Sequence, residues 1–162
     1  MTPVDSTLEI RPFRPEDSLG VEALFTRMYT HMTAHGLRLA LATDGAKLWV
    51  ESAARGQDRS SQLVVCTVDG ELMGFAHGAI KLAPGYLGGE KFGSITHVFV
   101  EDRFRTRGLG RQLVKALEAW LMKQGSRSIE LQVLCENAGA ISFWRSLGYQ
   151  DELLQLRRPI NR

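Results

Sequence analysis

A chain of 162 residues and 18.1 kDa, 44% hydrophobic and 23% charged, has the size and composition of one globular domain spanning residues 1–162, and excludes a disordered chain. Its 20 basic and 18 acidic side chains leave a formal charge of +2, too small to point to nucleic acid or an anionic membrane as the main partner. Its two cysteines, Cys66 and Cys135, make neither a disulfide framework nor a zinc site alone and read as buried free thiols.

The opening MTPVDSTLEIRPF has no basic start followed by an apolar run, so no secretory leader is expected. No run of ~18 apolar residues is present to span a membrane, and a cytoplasmic location is the expectation. Residues 7–13 alternate around Ile10 and Phe13 and read as a first strand. Pro15, Glu16 and Asp17 form a helix start, and Val21, Leu24, Phe25 and Met28 follow at helical spacing to about Thr33, with Gly36 as the stop. A second helix is predicted over 46–55, closed by Gly56. QLVVCTV, residues 62–68, and ELMGFAHGAIKL, residues 71–82, read as strands joined by the hairpin signal Asp69-Gly70. Residues 83–93 hold four glycines and a proline and read as a loop, and 94–100 as the next strand. Leu109, Leu113, Leu117 and Trp120 mark an amphipathic helix ending near Gly125. A strand over 128–134, a short helix over 138–147 stopped by Gly148, and a final strand over 149–157 complete a mixed α/β order with one β-α-β unit at 94–134.

The connection from the strand at 94–100 into the following helix carries the chemistry. A helix start has amides without internal partners and the positive end of the dipole, which together suit an anion. Gly108 and Gly110 let a phosphate approach the main chain, and Arg103, Arg105, Arg107 and Arg111 add fixed charge and bidentate donors. Residues 105–111 therefore ask for a polyphosphate ligand. The bland alternative is a solvated basic turn. Neither G-x-x-x-x-G-K-[ST] nor G-x-G-x-x-G occurs here, which excludes a Walker-type loop and leaves a dinucleotide-binding fold unsupported.

The pattern Arg105-x-x-Gly108-x-Gly110 between a strand and a long helix resembles the GNAT N-acetyltransferase superfamily. Downstream, LQVLCENAGAISFWRSLGY at 131–149 resembles that family's second block: a strand, Asn137, Ala140, the aromatic pair Phe143 and Trp144, then Leu147-Gly148-aromatic. The match covers about residues 94–149, and the opening strand and helix, with Ile10, Arg11 and Asp17, fit more loosely. The resemblance implies a mixed, strongly twisted sheet flanked by helices and splayed between the strands at 94–100 and 128–134. It implies acetyl-CoA in that splay, with main-chain groups of Phe99 and Val100 along the pantetheine arm. The pyrophosphate would lie on Arg105, Thr106, Arg107, Gly108, Leu109, Gly110 and Arg111, with Asn137 reaching pantetheine from the other side. Pantetheine carries two amides, so an unpaired strand edge suits it on physical grounds as well.

The implied reaction is direct transfer of acetyl from the thioester to a primary amine. An amine of pKa ~10.4 is cationic at pH 7, and freeing it costs about 4.6 kcal/mol, so a base helps. His97 is the candidate: a pKa near 6.5 suits the role, and simple alternation puts it on the face of Ile95 and Phe99. The same position also suits a structural histidine. Glu101, Glu136 and His77 are further options. Many relatives place a Tyr acid where this chain has Trp144, whose indole only donates, so Trp144 reads as a wall on the thioester arm or as core. Alanine acetyltransferases of ribosomal proteins carry a Glu base where this chain has Gln132, which cannot act as one. His31 and His35 stand at i, i+4 without an evident third ligand, so no metal is expected. The acceptor side is expected from the first two helices and the 81–93 loop, whose mixed charge disfavours polyamines and histone tails. A small amine leads the alternatives; a protein lysine or N-terminus, or a catalytically weak acyl-CoA sensor, stays open, and a homodimer is the expected assembly.

Overall fold

The computed structural model describes residues 6–105 and 107–161. Strand β1 (Leu8–Pro12) leads through a 3-10 turn (Pro15–Asp17) into helix α1 (Ser18–Ala34), followed by α2 (Gly45–Gly56), β2 (Ser61–Val68), β3 (Glu71–Leu82), β4 (Lys91–Val100), α3 (Leu109–Lys123), β5 (Ile129–Leu131) and α4 (Ala138–Ser146). The sheet order is β1-β2-β3-β4-β5, antiparallel through β4, with β5 parallel to β4. Among the described residues no helix is long and apolar enough to cross a membrane.

Two apolar layers sandwich the sheet. Leu63, Val65, Phe75 and Phe99 face α1 and α2, where they meet Val21, Leu24, Phe25, Met28 and Val50. Val64, Cys66, Ala76 and Ile95 face α3, where they meet Leu109, Leu113, Val114, Leu117 and Leu121. Burial on both faces is why residues 63–66 read as a continuous apolar run rather than an alternating one. Asp69 (φ 51°) and Gly70 (φ 82°) close the β2–β3 hairpin, as an Asp-Gly pair in a two-residue turn does. The start of α1 is tied to β1 by a buried ion pair. Arg11 donates twice to Asp17, at 2.7 and 2.9 Å, and the Arg14 amide donates to the same carboxylate at 2.8 Å. These donors hold Asp17 below the usual carboxylate range, the Arg11 hydrogen bond first.

A break in register between β3 and β4 organises the molecule. His77 pairs with His97, but Gly78 pairs with Ile95, so Thr96 has no opposite on β3. This bulge shifts the side-chain alternation by one. Ile95 therefore packs toward α3, while His97 turns to α1 and α2 with Phe99, which corrects the shared face expected for Ile95 and His97. The ladder to β5 ends at the same place. It runs Gly93–Ile129, Ser94–Glu130, Ile95–Leu131 and goes no further. From Thr96 to Val100, β4 has β3 on one side and, among the described residues, no strand pairing on the other.

Three expectations need correction. The strand expected over 128–134 is only Ile129–Leu131, because residues 132–134 lie opposite the bulged stretch and have no ladder to join. The strand expected over 149–157 does not form. With residues 132–134 outside the sheet it has no edge to pair with, and Leu153, Leu154 and Leu156 stay 76–90% exposed. A single side-chain bond, Gln132 Nε2 to Gln155 Oε1 at 3.0 Å, links the two segments. Cys135 is exposed on the turn before α4, and only Cys66 is buried.

Candidate functional site

Helix α3 begins behind Gly108, whose φ of +77° lies in the left-handed region. A Cβ there would meet no neighbour within 4 Å, so glycine answers a backbone demand, not a crowding one. Among the described residues no side chain caps this helix start, and the first intrahelical bond runs from the Gln112 amide to the Gly108 carbonyl at 3.1 Å. The amides of Leu109, Gly110 and Arg111 are thus without helical partners, at the positive end of the helix dipole. Gly110 faces α4, with Phe143 3.5 Å from the place of its missing Cβ, an ordinary packing distance.

The arginines divide. Arg107 and Arg111 are exposed beside the helix start; Arg107 lies over the Phe104 ring at 5.1 Å and Arg111 donates to Ser146 Oγ on α4 at 3.3 Å. Arg103 pairs with Glu71 at 3.3 Å. Arg105 folds back onto β4: its Nε donates to the Val100 carbonyl at 3.0 Å, its guanidinium sits 5.4 Å over the Phe99 ring, and it pairs with Asp102 at 3.0 Å. It clips the end of β4 to the loop. Thr106 lies outside the described residues.

Across the unpaired part of β4 stands the turn into α4. Asn137 caps that helix, its Oδ1 accepting from the Ala140 amide at 3.1 Å. Trp144 is half-buried, edge-on to Phe143 at 5.0 Å and to Tyr149 at 5.3 Å. Tyr149 donates to Glu118 at 2.7 Å, and burial with this bond raises its hydroxyl above the usual tyrosine range. It is committed to the α3–α4 contact and is no substitute acid.

His97 lies on the α1–α2 face, with Phe25 at 5.2 Å and the edge of Trp49 at 5.1 Å. His77, 8% exposed, sits across the ladder, also on the edge of Trp49, at 5.2 Å. Between the rings stands the Thr96 hydroxyl, 2.6 Å from His77 Nδ1, 3.0 Å from His97 Nδ1 and 3.2 Å from the His77 carbonyl. Burial pushes both imidazoles down from 6.5 to about 4, so both are neutral at physiological pH. Glu101 is taken up by an ion pair with Arg27, and the exposed Glu136 carboxylate lies against Gly36 at the end of α1. His31 and His35 stack at 4.3 Å, and among the described residues no group of three His, Cys, Asp or Glu side chains is arranged to hold a metal. A groove of about 300 Å³ runs between α1 and the 37–41 segment, lined by Thr26, Tyr29, Thr30, Thr33, Arg38 and Leu41 among others.

Two features escaped the sequence. Thr96 counts as an ordinary strand residue until the bulge is known, though an isolated glycine inside a strand, here Gly78, is a signal for one. Phe25 carries helical periodicity and reads as one face of its helix, and Trp49 lies unremarked in the second helix; their meeting with His97 is tertiary.

The profile of the Acetyltransferase (GNAT) family matches residues 24–149. An uncharacterized N-acetyltransferase of Methanocaldococcus jannaschii is 33% identical over 88 residues, 54% of this chain and 38% of the relative. An aminoglycoside N(6')-acetyltransferase type 1 of Stenotrophomonas maltophilia is 26% identical, over 60% of this chain and 65% of its own. The chain thus spans less than two thirds of either relative. A streptothricin acetyltransferase of Streptomyces lavendulae is 28% identical over 89% of this chain and 82% of its own. Among solved structures, an aminoglycoside N-acetyltransferase in complex with CoA superposes with a TM-score of 0.80 at 20% identity, over 98% of this chain and 99% of that one. Glucosamine-6-phosphate N-acetyltransferase from Arabidopsis thaliana superposes at 0.70 and 19%, over 96% and 99%. At these identities the superpositions speak for the fold.

Proposed function

The chain belongs to the GNAT acetyltransferase family, and from that premise we propose that it is an acetyl-CoA-dependent N-acetyltransferase acting by direct transfer on the primary amine of a small molecule. One observation carries this reading: β4, whose edge away from β3 is free of strand pairing along Thr96–Val100 among the described residues, leads through the 101–108 connection to a helix start behind Gly108 with no cap among those residues. That is an extended amide-pairing edge followed by an anion cradle, in the order of a pantetheine arm and its pyrophosphate.

In this reading the amides at 107–111, with Arg107 and Arg111, hold the pyrophosphate. The main chain of Phe99 and Val100 lies along the arm, and Arg105 keeps the loop in shape from the Val100 carbonyl. Asn137 and Trp144 bound the arm on the α4 side, Trp144 as a wall. The ligand supplies an acetyl thioester as electrophile. The neutral His97 ring accepts the proton that the amine sheds as its nitrogen becomes cationic. With a pKa of about 4 it is a poor sink for a free ammonium at ~10.4, a gap of about 9 kcal/mol, so the amine reaches it already neutral. No protein acid is needed, because the leaving thiol is far more acidic than the amine.

The acceptor reaches His97 from the α1 side, past Tyr29. The 300 Å³ groove there has the size of a small-ligand site, and the aminoglycoside and streptothricin acetyltransferases are similar chains whose names denote small-molecule acceptors. The test is a thermal-shift titration with acetyl-CoA beside thiol release against a panel of amines. At a hundred times Kd the ligand adds about 2.7 kcal/mol, or about 5–10 °C in Tm. A shift with turnover of a small amine supports the proposal. A shift with turnover only of peptide amines would replace the acceptor class, and no shift would remove the coenzyme site.

A further inference from the structure

The Thr96 hydroxyl has more partners than protons. It faces two imidazole Nδ1 atoms and one carbonyl oxygen, and it owns one hydrogen and two lone pairs. The carbonyl of His77 can only accept, so that contact requires the threonine proton. Both Nδ1 atoms must then be donors to the two lone pairs. Any other assignment breaks a contact. If the hydroxyl donated to His77 Nδ1, that ring would carry its proton on Nε2, which is buried and has no partner, and an orphaned buried N–H is the rarer and costlier defect. If it donated to His97 Nδ1, the His97 Nε2 would become a donor and lose its lone pair.

We propose that Thr96 is a positioning residue: its single hydroxyl, bound to the His77 carbonyl, fixes His77 and His97 as Nδ1–H tautomers and leaves the Nε2 of His97 as a bare acceptor for the proton of the amine. The bulge makes this possible, because only the unpaired residue of β4 can turn its side chain between two rings that face each other across the ladder. His77 contributes by its ring donor and its main chain, and its own Nε2 is sealed against the Trp49 layer. The groups packed against His97 are Phe25, Trp49 and His77, none of them charged at neutral pH, so the hydroxyl is what selects the tautomer. The role of Thr96 in catalysis rests on the reading of His97 as the accepting base; its control of the tautomers does not.

The experiment is long-range ¹⁵N–¹H correlation of ¹⁵N-histidine-labelled protein, which distinguishes Nδ1–H from Nε2–H rings, together with steady-state kinetics. In the unaltered chain both rings should report Nδ1–H at pH 7.5. Thr96→Val keeps the branched shape and removes the hydroxyl; His97 should then acquire Nε2–H character, and kcat should fall about tenfold, part of the usual contribution of a positioned base. Thr96→Ser should restore both tautomer and rate. An Nε2–H ring at His97 in the unaltered protein, or unchanged tautomers in Thr96→Val, overturns the proposal. A changed tautomer with an unchanged kcat leaves the tautomer assignment standing and overturns the reading of His97 as base. Should Thr96→Val not fold, the unaltered spectrum and Thr96→Ser decide alone.

Discussion

Replacing His77 by phenylalanine should remove a defined part of the acid sensitivity of this fold. His77 is 8% exposed, and burial lowers its pKa from 6.5 to about 4. A histidine with a lowered folded pKa destabilises the native state as pH falls below the unfolded value, because the unfolded ring takes up a proton that the folded ring refuses. The effect is absent above pH ~7 and complete only below about 4. At pH 5 an unfolded imidazole is about 97% charged, whereas the folded ring is about one-tenth charged. Integrated from pH 7 to 5, the loss is about 2 kcal/mol for this ring, or about 4–8 °C in Tm. Phenylalanine fills much of the same volume against the edge of Trp49 and does not titrate. Urea unfolding followed by circular dichroism at pH 7, 6 and 5 should show the variant losing about 2 kcal/mol less than the parent over this range. Asp17, also shifted, loses its contribution mainly below pH 4 and is common to both chains, so it cancels. An equal loss in both chains would mean that the His77 ring is hydrated in solution, and the sealed core around it would be wrong.

The other expectations concern the site. Gly108→Val forces a branched residue to φ +77° and into the mouth of the α3 amides; the coenzyme A thermal shift should vanish while the chain stays folded at a cost of about 1–3 kcal/mol, and an undiminished shift would remove the phosphate cradle. Because burial keeps His97 neutral above pH 5, the rate of the unaltered protein should rise smoothly from pH 6 to 9 with the ionisation of the amine. His97→Gln should lower that line about a hundredfold without changing its slope. An inflection near pH 6.5 in the parent that disappears in the variant would show a solvated ring instead. Trp144→Phe should change kcat by less than about threefold, since an indole N–H has no proton to give at neutral pH; a hundredfold fall would show that it bonds the reacting group.

The parts of this molecule that were legible in sequence are those whose physics is local. Asp69-Gly70 between two apolar runs is a hairpin whatever surrounds it, and an arginine-rich turn with glycine ahead of Leu109 and Leu113 is a helix start. The two-sided burial of β2 showed as an unbroken apolar run. The fold followed from the order of these pieces and a family resemblance carried by residues 94–149. What failed was non-local. Residues 149–157 carry three leucines that suit a strand, but a strand needs an edge, and the β4–β5 ladder ends at Leu131. Cys135 resembled Cys66 in type alone; one lies in a strand covered on both faces and the other on a turn. The surroundings of Arg105 were equally out of reach: its charge suits a phosphate, and only the fold adds that it also meets the Val100 carbonyl and Asp102, each at 3.0 Å.

The single unpaired residue at 96 links these outcomes. Were Thr96 paired in regular alternation, His97 would follow Ile95 toward α3, into a layer of leucines, and Val98 would face α1 and α2. With it looped out, the face changes parity between Ile95 and His97, the β4–β5 ladder stops, and the strand leading to Gly108 is left with an open edge. One looped-out residue thus accompanies the open edge along which a ligand can lie and leaves His97 level with His77 on the α1–α2 layer. The same residue then brings the hydroxyl that sets which nitrogen of that histidine carries the proton. A deletion of Thr96 should therefore do something different from a substitution: Ile95 and His97 would become neighbours and keep their opposite faces, while the β4–β5 ladder, freed of the bulge, should extend past Ile95. The deletion should thus cost the binding edge and the hydroxyl while His97 keeps its face, whereas Thr96→Val should spare coenzyme binding and lower only the rate.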